Sequence, residues 1–173
     1  LASPAMVTYV VDHPIEAATA NSIGTINLLE LAKAYDATIL FASSSEVYGD
    51  PKEHPQKESY WGNTNPVGVR SGYDEGKRFG ESLTMAYRRE YALDVRIVRI
   101  FNTYGPKSDP HDSRVIPSFI TKALRGESLP VHGNGKQTRS FCYVSDMVDG
   151  LIKLMESTQT GPMNIGNSEE HTI

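Results

Sequence analysis

Residues 38–49 read Thr38-Ile39-Leu40-Phe41-Ala42-Ser43-Ser44-Ser45-Glu46-Val47-Tyr48-Gly49. An apolar run of strand length passes into three consecutive hydroxyls and a carboxylate. Short apolar runs bounded by turn-forming residues predict buried strands. The polar cluster at the carboxyl end predicts a rim where ligands gather rather than a core. Upstream, residues 15–35 lack Pro and place Ile23, Ile26, Leu29 and Ala34 at helical spacing, which predicts a helix. Downstream, Tyr73-Asp74-Glu75-Gly76-Lys77 opens a second helix over residues 72–91, with Phe79, Leu83, Ala86 and Tyr87 as its apolar stripe. The run Val95-Arg96-Ile97-Val98-Arg99-Ile100 then predicts a strand that ends at Phe101-Asn102. Strands alternating with helices predict an α/β fold with a mainly parallel sheet. Ligands of such sheets sit at the carboxyl ends of strands, so residues 43–46 and 101–102 fall on one rim.

Beyond this centre the pattern predicts a helix over 115–124, a short strand at Leu129-Pro130-Val131 and a strand over 140–144. Ser145 or Asp146 is placed to cap a helix running to Met155, and Met163-Asn164-Ile165 reads as a last strand. Residues 49–69 are rich in Gly, Pro, Asn and Ser and read as a long loop over the rim. Loops of that length in compact domains are usually functional.

Length and composition restrict the function. The chain has 173 residues, enough for one domain with a core. Its net charge of −4 offers no broad basic surface to nucleic acid. No run of about 18 apolar residues is available to span a membrane. The single cysteine, Cys142, cannot form an internal disulfide, which fits a reducing compartment. The five histidines do not pair with each other or with Cys142 at metal-ligand spacing, so no metal site is expected. Asp109, His111 and Asp112 read as a solvated polar loop. The chain starts at Leu1 rather than Met, and its first five residues read as the exit of a strand. Glu169-Glu170-His171-Thr172 reads as the start of a further element, so the expectation is a portion of a longer enzyme.

The chemistry lies in spacing. Tyr73 and Lys77 are four apart and share a helix face. A free tyrosine, with a pKa of about 10, is a poor base at neutral pH. A cation nearby can lower an acid's pKa by about 1–3 units, and Lys77 is expected to do so. Tyr73 would then take the proton from an alcohol while hydride leaves its carbon, with Ser44 fixing the oxygen. The same spacing occurs on ordinary helix surfaces. The strand-end hydroxyls and the long loop between the two segments give it weight here.

Several stretches carry a resemblance. They are residues 43–51 (Ser43-Ser44-Ser45-Glu46-Val47-Tyr48-Gly49-Asp50-Pro51), residues 54–63, and Tyr73-Asp74-Glu75-Gly76-Lys77-Arg78. Arg99-Ile100-Phe101-Asn102-Thr103-Tyr104-Gly105-Pro106 and Gly135-Lys136-Gln137-Thr138-Arg139-Ser140-Phe141 follow in order. Together they resemble the extended short-chain dehydrogenase/reductases that act on nucleotide sugars, and within these the UDP-glucuronate decarboxylases (UDP-xylose synthases). There are departures. Ser44 stands where those decarboxylases usually carry Thr, and Ser113-Arg114-Val115 replaces Gly-Arg-Val. The glycine-rich dinucleotide fingerprint is missing, and Gly133-Asn134-Gly135 lacks the strand-turn-helix context to replace it. In the family that fingerprint lies upstream of the segment matching Leu1. Ser45-Glu46 matches the decarboxylase pattern, where the related 4,6-dehydratases carry Asp-Glu and many 4-epimerases lack the glutamate.

The resemblance implies a Rossmann-like, mainly parallel sheet truncated at both ends, with part of a small substrate-binding region. Residues 1–105 would form the later part of an NAD-binding domain, and 106–173 a nucleotide-sugar region interleaved with the last sheet elements. It implies NAD as cofactor, a UDP-sugar substrate, a homodimer built on the helix of Tyr73 and the preceding long helix, and a cytoplasmic location. Ser44, Ser45, Glu46, Tyr73 and Lys77 would be catalytic. Leu1, Ala2, Ser43, Phe101, Tyr73 and Lys77 would contact the cofactor. Asn102, Arg114, Val115, His132 and Arg139 would contact the substrate, with His132 facing uracil and Arg139 the diphosphate. The alternatives are a 4-epimerase, the related decarboxylase of the amino-arabinose pathway, or a non-catalytic nucleotide-sugar or NAD-binding module.

Overall fold

The computed structural model describes residues 3–131 and 133–173. Helix α1 (Val7–Asp12) leads into α2 (Pro14–Ala34), whose Pro14 at the first position fits a helix start because its missing N–H would have no partner there. Strand β1 (Ile39–Ser44) follows, then a 3₁₀ turn (Ser45–Tyr48). A long irregular segment crosses to α3 (Ser71–Tyr91). Strands β2 (Val95–Ile100) and β3 (Thr103–Tyr104), helix α4 (Val115–Leu124), and strands β4 (Thr138–Ser140) and β5 (Cys142–Tyr143) come next. Helix α5 (Val144–Glu156) and strands β6 (Pro162–Ile165) and β7 (Glu170–Thr172) complete the chain.

The main sheet has the order β1-β2-β6, all parallel, with Ile39 opposite Val95 and Ile100 opposite Ile165. Side chains alternate across a pleated sheet, so Phe41, Ile97 and Arg99 share one face, and Val98, Ile100 and Ile165 the other. Gly80 of α3 approaches the Phe41 ring and Gly150 of α5 approaches Ile165, so the two helices cover opposite faces. This is the layered arrangement that the alternating pattern predicted. The apolar core under α2 and α3 holds Leu29, Ala32, Leu93 and Val95, with Ile39, Leu83, Met85 and Tyr87 packed against it.

Beside this apolar core the two helices also bury small and polar residues: Ala17, Asn21 and Thr25 on α2 with Leu29, and Gly76, Lys77, Gly80 and Thr84 on α3 with Tyr73. Ile23 and Phe79, placed by periodicity on apolar stripes, are 54% and 43% exposed. A Cβ at Gly80 would lie 2.2 Å from the Phe41 ring, so this glycine is required by close approach rather than by flexibility.

Some short elements differ from the sequence reading. Leu129-Pro130-Val131 forms no strand; Pro130 has no N–H to donate to a ladder. The run over 140–144 is divided. Strand β4 pairs antiparallel with β7, β5 pairs parallel with β3, and Val144 already belongs to α5. The residue before α5 is Tyr143, which makes no side-chain cap, and Ser145 and Asp146 lie inside the first turn. Helix α1 and strands β3 and β7 are too short for periodicity to reveal.

Candidate active site

Strand β1 ends where its pairing with β2 ends, and Ser43 and Ser44 are the last residues of the ladder. Both are buried. The Ser44 hydroxyl accepts a hydrogen bond from the Glu46 backbone N–H at 3.2 Å, which caps the 3₁₀ turn and turns Glu46 toward the rim. The Ser43 hydroxyl donates to Glu81 Oε1 at 2.5 Å and so ties the strand end to α3.

Helix α3 carries Tyr73 and Lys77 on its buried face. Lys77 Nζ lies 5.6 Å from the centre of the Tyr73 ring and donates to the Ala42 carbonyl at 2.9 Å. Burial pulls the Lys77 ammonium down to about 8. Burial also pushes the Tyr73 phenol above its ordinary value; hydrogen bonding with Ser44 and the charge of Arg70 oppose the shift, while Glu46 and Asp74 add to it. The expectation that Lys77 lowers the Tyr73 pKa is therefore corrected. Desolvation acts on both groups and favours the neutral form of each.

Ser43, Ser44, Ser45, Glu46, Tyr73, Lys77, Phe101, Asn102 and Arg114 line one cavity of about 740 Å³ at the carboxyl ends of β1 and β2. Gly24 of α2 adds open wall there, with nothing within 4 Å of the position a Cβ would take. A second cavity of about 900 Å³ shares Ser45, Glu46, Phe101 and Asn102 and adds Arg139. A third, of about 390 Å³, holds Asn102, Arg114, Val115 and Arg139. Asn102 borders all three, so the named residues line adjoining cavities around it. Leu1, Ala2 and His132 lie outside the described residues.

The sequence reading missed the partners that hold these side chains. Asp112 is 4% exposed rather than solvated, and its carboxylate accepts from Arg114 Nε and Nη2 at 2.8 and 2.5 Å. Burial works against ionised Asp112, but these bonds outweigh it and hold the carboxyl below its usual range. Arg70 Nη2 lies 2.8 Å from Glu46 Oε2. Glu81 and Arg99 form a bidentate pair under Ser43, at 2.7 and 2.9 Å. Arg114 lies two residues from Asp112, a spacing visible in sequence, whereas Glu81 and Arg99 meet only through the packing of α3 on β2.

The described residues suit the nicotinamide-ribose half of a dinucleotide. A cation that can hold a ribose hydroxyl, a phenol and a serine face a recess of sufficient volume at the sheet's carboxyl rim.

The chain is 58% identical over all 173 residues to UDP-glucuronic acid decarboxylase 3 of Arabidopsis thaliana, and covers 51% of that protein. It thus spans about half the length of these curated relatives. Among solved structures it resembles a UDP-N-acetylglucosamine 4-epimerase from Methanobrevibacter ruminantium in complex with UDP-N-acetylmuramic acid. The TM-score is 0.91 and the identity 33%, with 100% of this chain and 55% of the other covered. A dTDP-glucose 4,6-dehydratase from Bacillus anthracis in complex with NAD has a TM-score of 0.78 and 32% identity, over 88% of this chain and 48% of that one. These relatives differ in the reaction they are named for but share a nucleotide sugar in that name. Residues 1–166 match the model of the NAD dependent epimerase/dehydratase family, and by that match the chain belongs to this family.

Proposed function

We propose that this chain carries the catalytic rim of an NAD-dependent UDP-glucuronate decarboxylase. One observation carries the reading: Ser44, Tyr73 and Lys77, the set needed to oxidise an alcohol, share a cavity wall with Ser45 and Glu46. The 58% identity to a UDP-glucuronic acid decarboxylase supports this reaction over epimerisation, where the solved epimerase relative is 33% identical.

In this reading Tyr73 takes the C4 hydroxyl proton and returns it at the end. Ser44 holds that oxygen, and Lys77 holds the ribose beside it. NAD, when bound, would supply reversible hydride exchange, accepting the hydride from C4 and giving it back after the carboxylate has left. Oxidation at C4 makes a β-keto acid, whose carboxylate can leave because the ketone accepts the electron pair. Glu46 and Ser45 position the carboxylate or relay the C5 proton. Asn102 contacts the substrate, Arg114 and Val115 border the nucleotide entrance, and Arg139 takes the diphosphate, since guanidinium geometry suits phosphate oxygens. Ser43 and Phe101 border the cofactor. Residues 1–105 serve the cofactor half and 106–173 the nucleotide-sugar half.

The reading includes a homodimer in the cytoplasm. Ile15, Ile23 and Ile26 of α2 and Phe79 of α3 are exposed and lie away from the face each helix buries. Ile23→Glu with Phe79→Glu should convert a dimer to a monomer in analytical ultracentrifugation; an unchanged mass would remove this face as the contact. No described helix is long and apolar enough to cross a membrane. The function is tested by product analysis with NAD and UDP-glucuronate. The expected products are UDP-xylose and carbon dioxide. A UDP-sugar that keeps its carboxylate would favour the epimerase reading.

A further inference from the structure

Arg70 was not assigned a role by the sequence, and it occupies a specific place. It is the residue immediately before α3, one turn from Tyr73. Its Nη2 lies 2.8 Å from Glu46 Oε2 and 3.9 Å from Asp74 Oδ1. The guanidinium thus bridges the turn after β1, which carries Ser44, Ser45 and Glu46, to the first turn of α3. Arg70 and Glu46 both line the cavity that holds Tyr73 and Lys77, and both also line the neighbouring one that holds Arg139. Arg70 Nε and Asp74 Oδ1 are buried without a hydrogen-bond partner among the described residues. The cluster is therefore only partly satisfied, and Glu46 is the close partner.

We infer that Arg70 is the positioning residue of Glu46, fixing its carboxylate at the junction of the two cavities and acting on the reaction through Glu46 rather than on the substrate. This rests on the decarboxylase reading above. A cation laid directly on the departing carboxylate would stabilise the ground state, where the charge is localised, more than the transition state, where it has moved toward the ketone. That would oppose the reaction. Paired with Glu46, the guanidinium is neutralised by the protein's own carboxylate. Asp74 is the weaker competitor: burial first, with Glu46 and Glu75 adding, pushes it up to about 6 despite the opposing pull of Arg70.

The experiment compares Arg70→Met, Arg70→Lys, Glu46→Gln and the Arg70→Met/Glu46→Gln double variant in the whole protein with NAD and UDP-glucuronate. Single-turnover NADH formation and carbon dioxide release are read together. Arg70→Met should slow carbon dioxide release roughly 10-fold more than it slows NADH formation, the scale of one charge-assisted hydrogen bond. Arg70→Lys should recover most of that release. Arg70→Met should subtract nothing further once Glu46 is Gln. Losses that multiply in the double variant overturn the inference, as do wild-type rates. A raised KM with kcat intact also overturns it, because the guanidinium would then be on the substrate's carboxylate. If the wild type releases no carbon dioxide from UDP-glucuronate, the functional reading fails by itself, and the pairing is decided on the free protein by carbon-13 NMR of Asp74. Arg70→Met should raise the Asp74 midpoint from about 6, and Glu46→Gln should lower it more when Arg70 is present than when it is Met. A midpoint indifferent to Arg70 overturns the inference.

Discussion

Tyr73 and Lys77 occupy one buried helix face, so desolvation acts on both, in opposite directions because one is an acid and the other a base. Tyr73→Phe removes the proton acceptor and keeps the ring that fills the site. It should slow C4 oxidation by about 10²–10⁴-fold while leaving UDP affinity within about 2-fold; near-normal NADH formation would remove Tyr73 from the proton transfer. Lys77 gives a prediction that needs no mutation. Its ammonium, held down to about 8 by burial, is charged below that pH and neutral above it. If its charge holds the ribose, kcat/KM should fall as pH rises through about 8. A profile flat to pH 9.5 would mean that the charge is not used. The same two residues show what was legible at this scale. Ser44, Tyr73 and Lys77 could be found because their spacing is chemical. The direction of the Tyr73 shift could not, because it depends on burial and on Glu46 and Asp74 nearby, which spacing does not reveal.

At the scale of elements, β1, α3 and β2 were legible because their patterns are long. The face that α3 presents was legible only in part. Hydrophobic periodicity selects Phe79, Leu83 and Tyr87; Leu83 and Tyr87 do pack on the core with Leu29, but Phe79 is exposed, and α3 buries Gly76, Lys77, Gly80 and Thr84 as well, with Gly76 against Asn21 of α2 and Gly80 against Phe41 of β1. Small residues there let the backbones approach and bring Lys77 to the strand end. Gly80→Ala tests this directly. The added Cβ would lie 2.2 Å from the Phe41 ring, so the helix or the ring must shift. Overpacking of this kind destabilises by about 1–3 kcal/mol. Gly24→Ala on α2 is the matched control, because nothing lies within 4 Å of its Cβ position. It should be neutral or stabilise by about 0.5–1 kcal/mol, the helix preference for Ala over Gly. Urea denaturation of both variants decides it, and equal effects would show that helix propensity rather than close approach governs Gly80.

Across the whole molecule, one buried polar network joins parts that no local pattern connects. Arg99 on β2 pairs with Glu81 on α3, and their side chains are 11% and 12% exposed. Arg99 Nη1 also donates to Tyr48 Oη at 2.8 Å and to the Glu58 carbonyl at 3.1 Å. Tyr48 Oη donates in turn to Asn164 Oδ1 on β6 at 2.7 Å, and Asn164 Nδ2 donates to the Gln56 carbonyl at 3.0 Å. The sheet, α3 and the segment over residues 56–58 are thus held by one set of bonds, which also reaches Ser43 through Glu81. The sequence offered Val95-Arg96-Ile97-Val98-Arg99-Ile100 as a strand but did not indicate that Arg99 is buried, since its partners come from distant parts of the chain. Removing one member of a buried pair strands the other charge and costs about 3–5 kcal/mol, whereas removing both is much less damaging. Arg99→Leu should therefore destabilise by about that amount, and Arg99→Leu with Glu81→Leu should recover a large part of it. The double variant still lacks the donor to Tyr48 and Glu58. Its segment over residues 56–58 should be cut faster by protease under native conditions even where global stability has returned. Denaturation and limited proteolysis on the same samples separate the two effects. If the double variant regains both stability and protease resistance, the pair acts as a local contact, and the long segment over the site is held by something else.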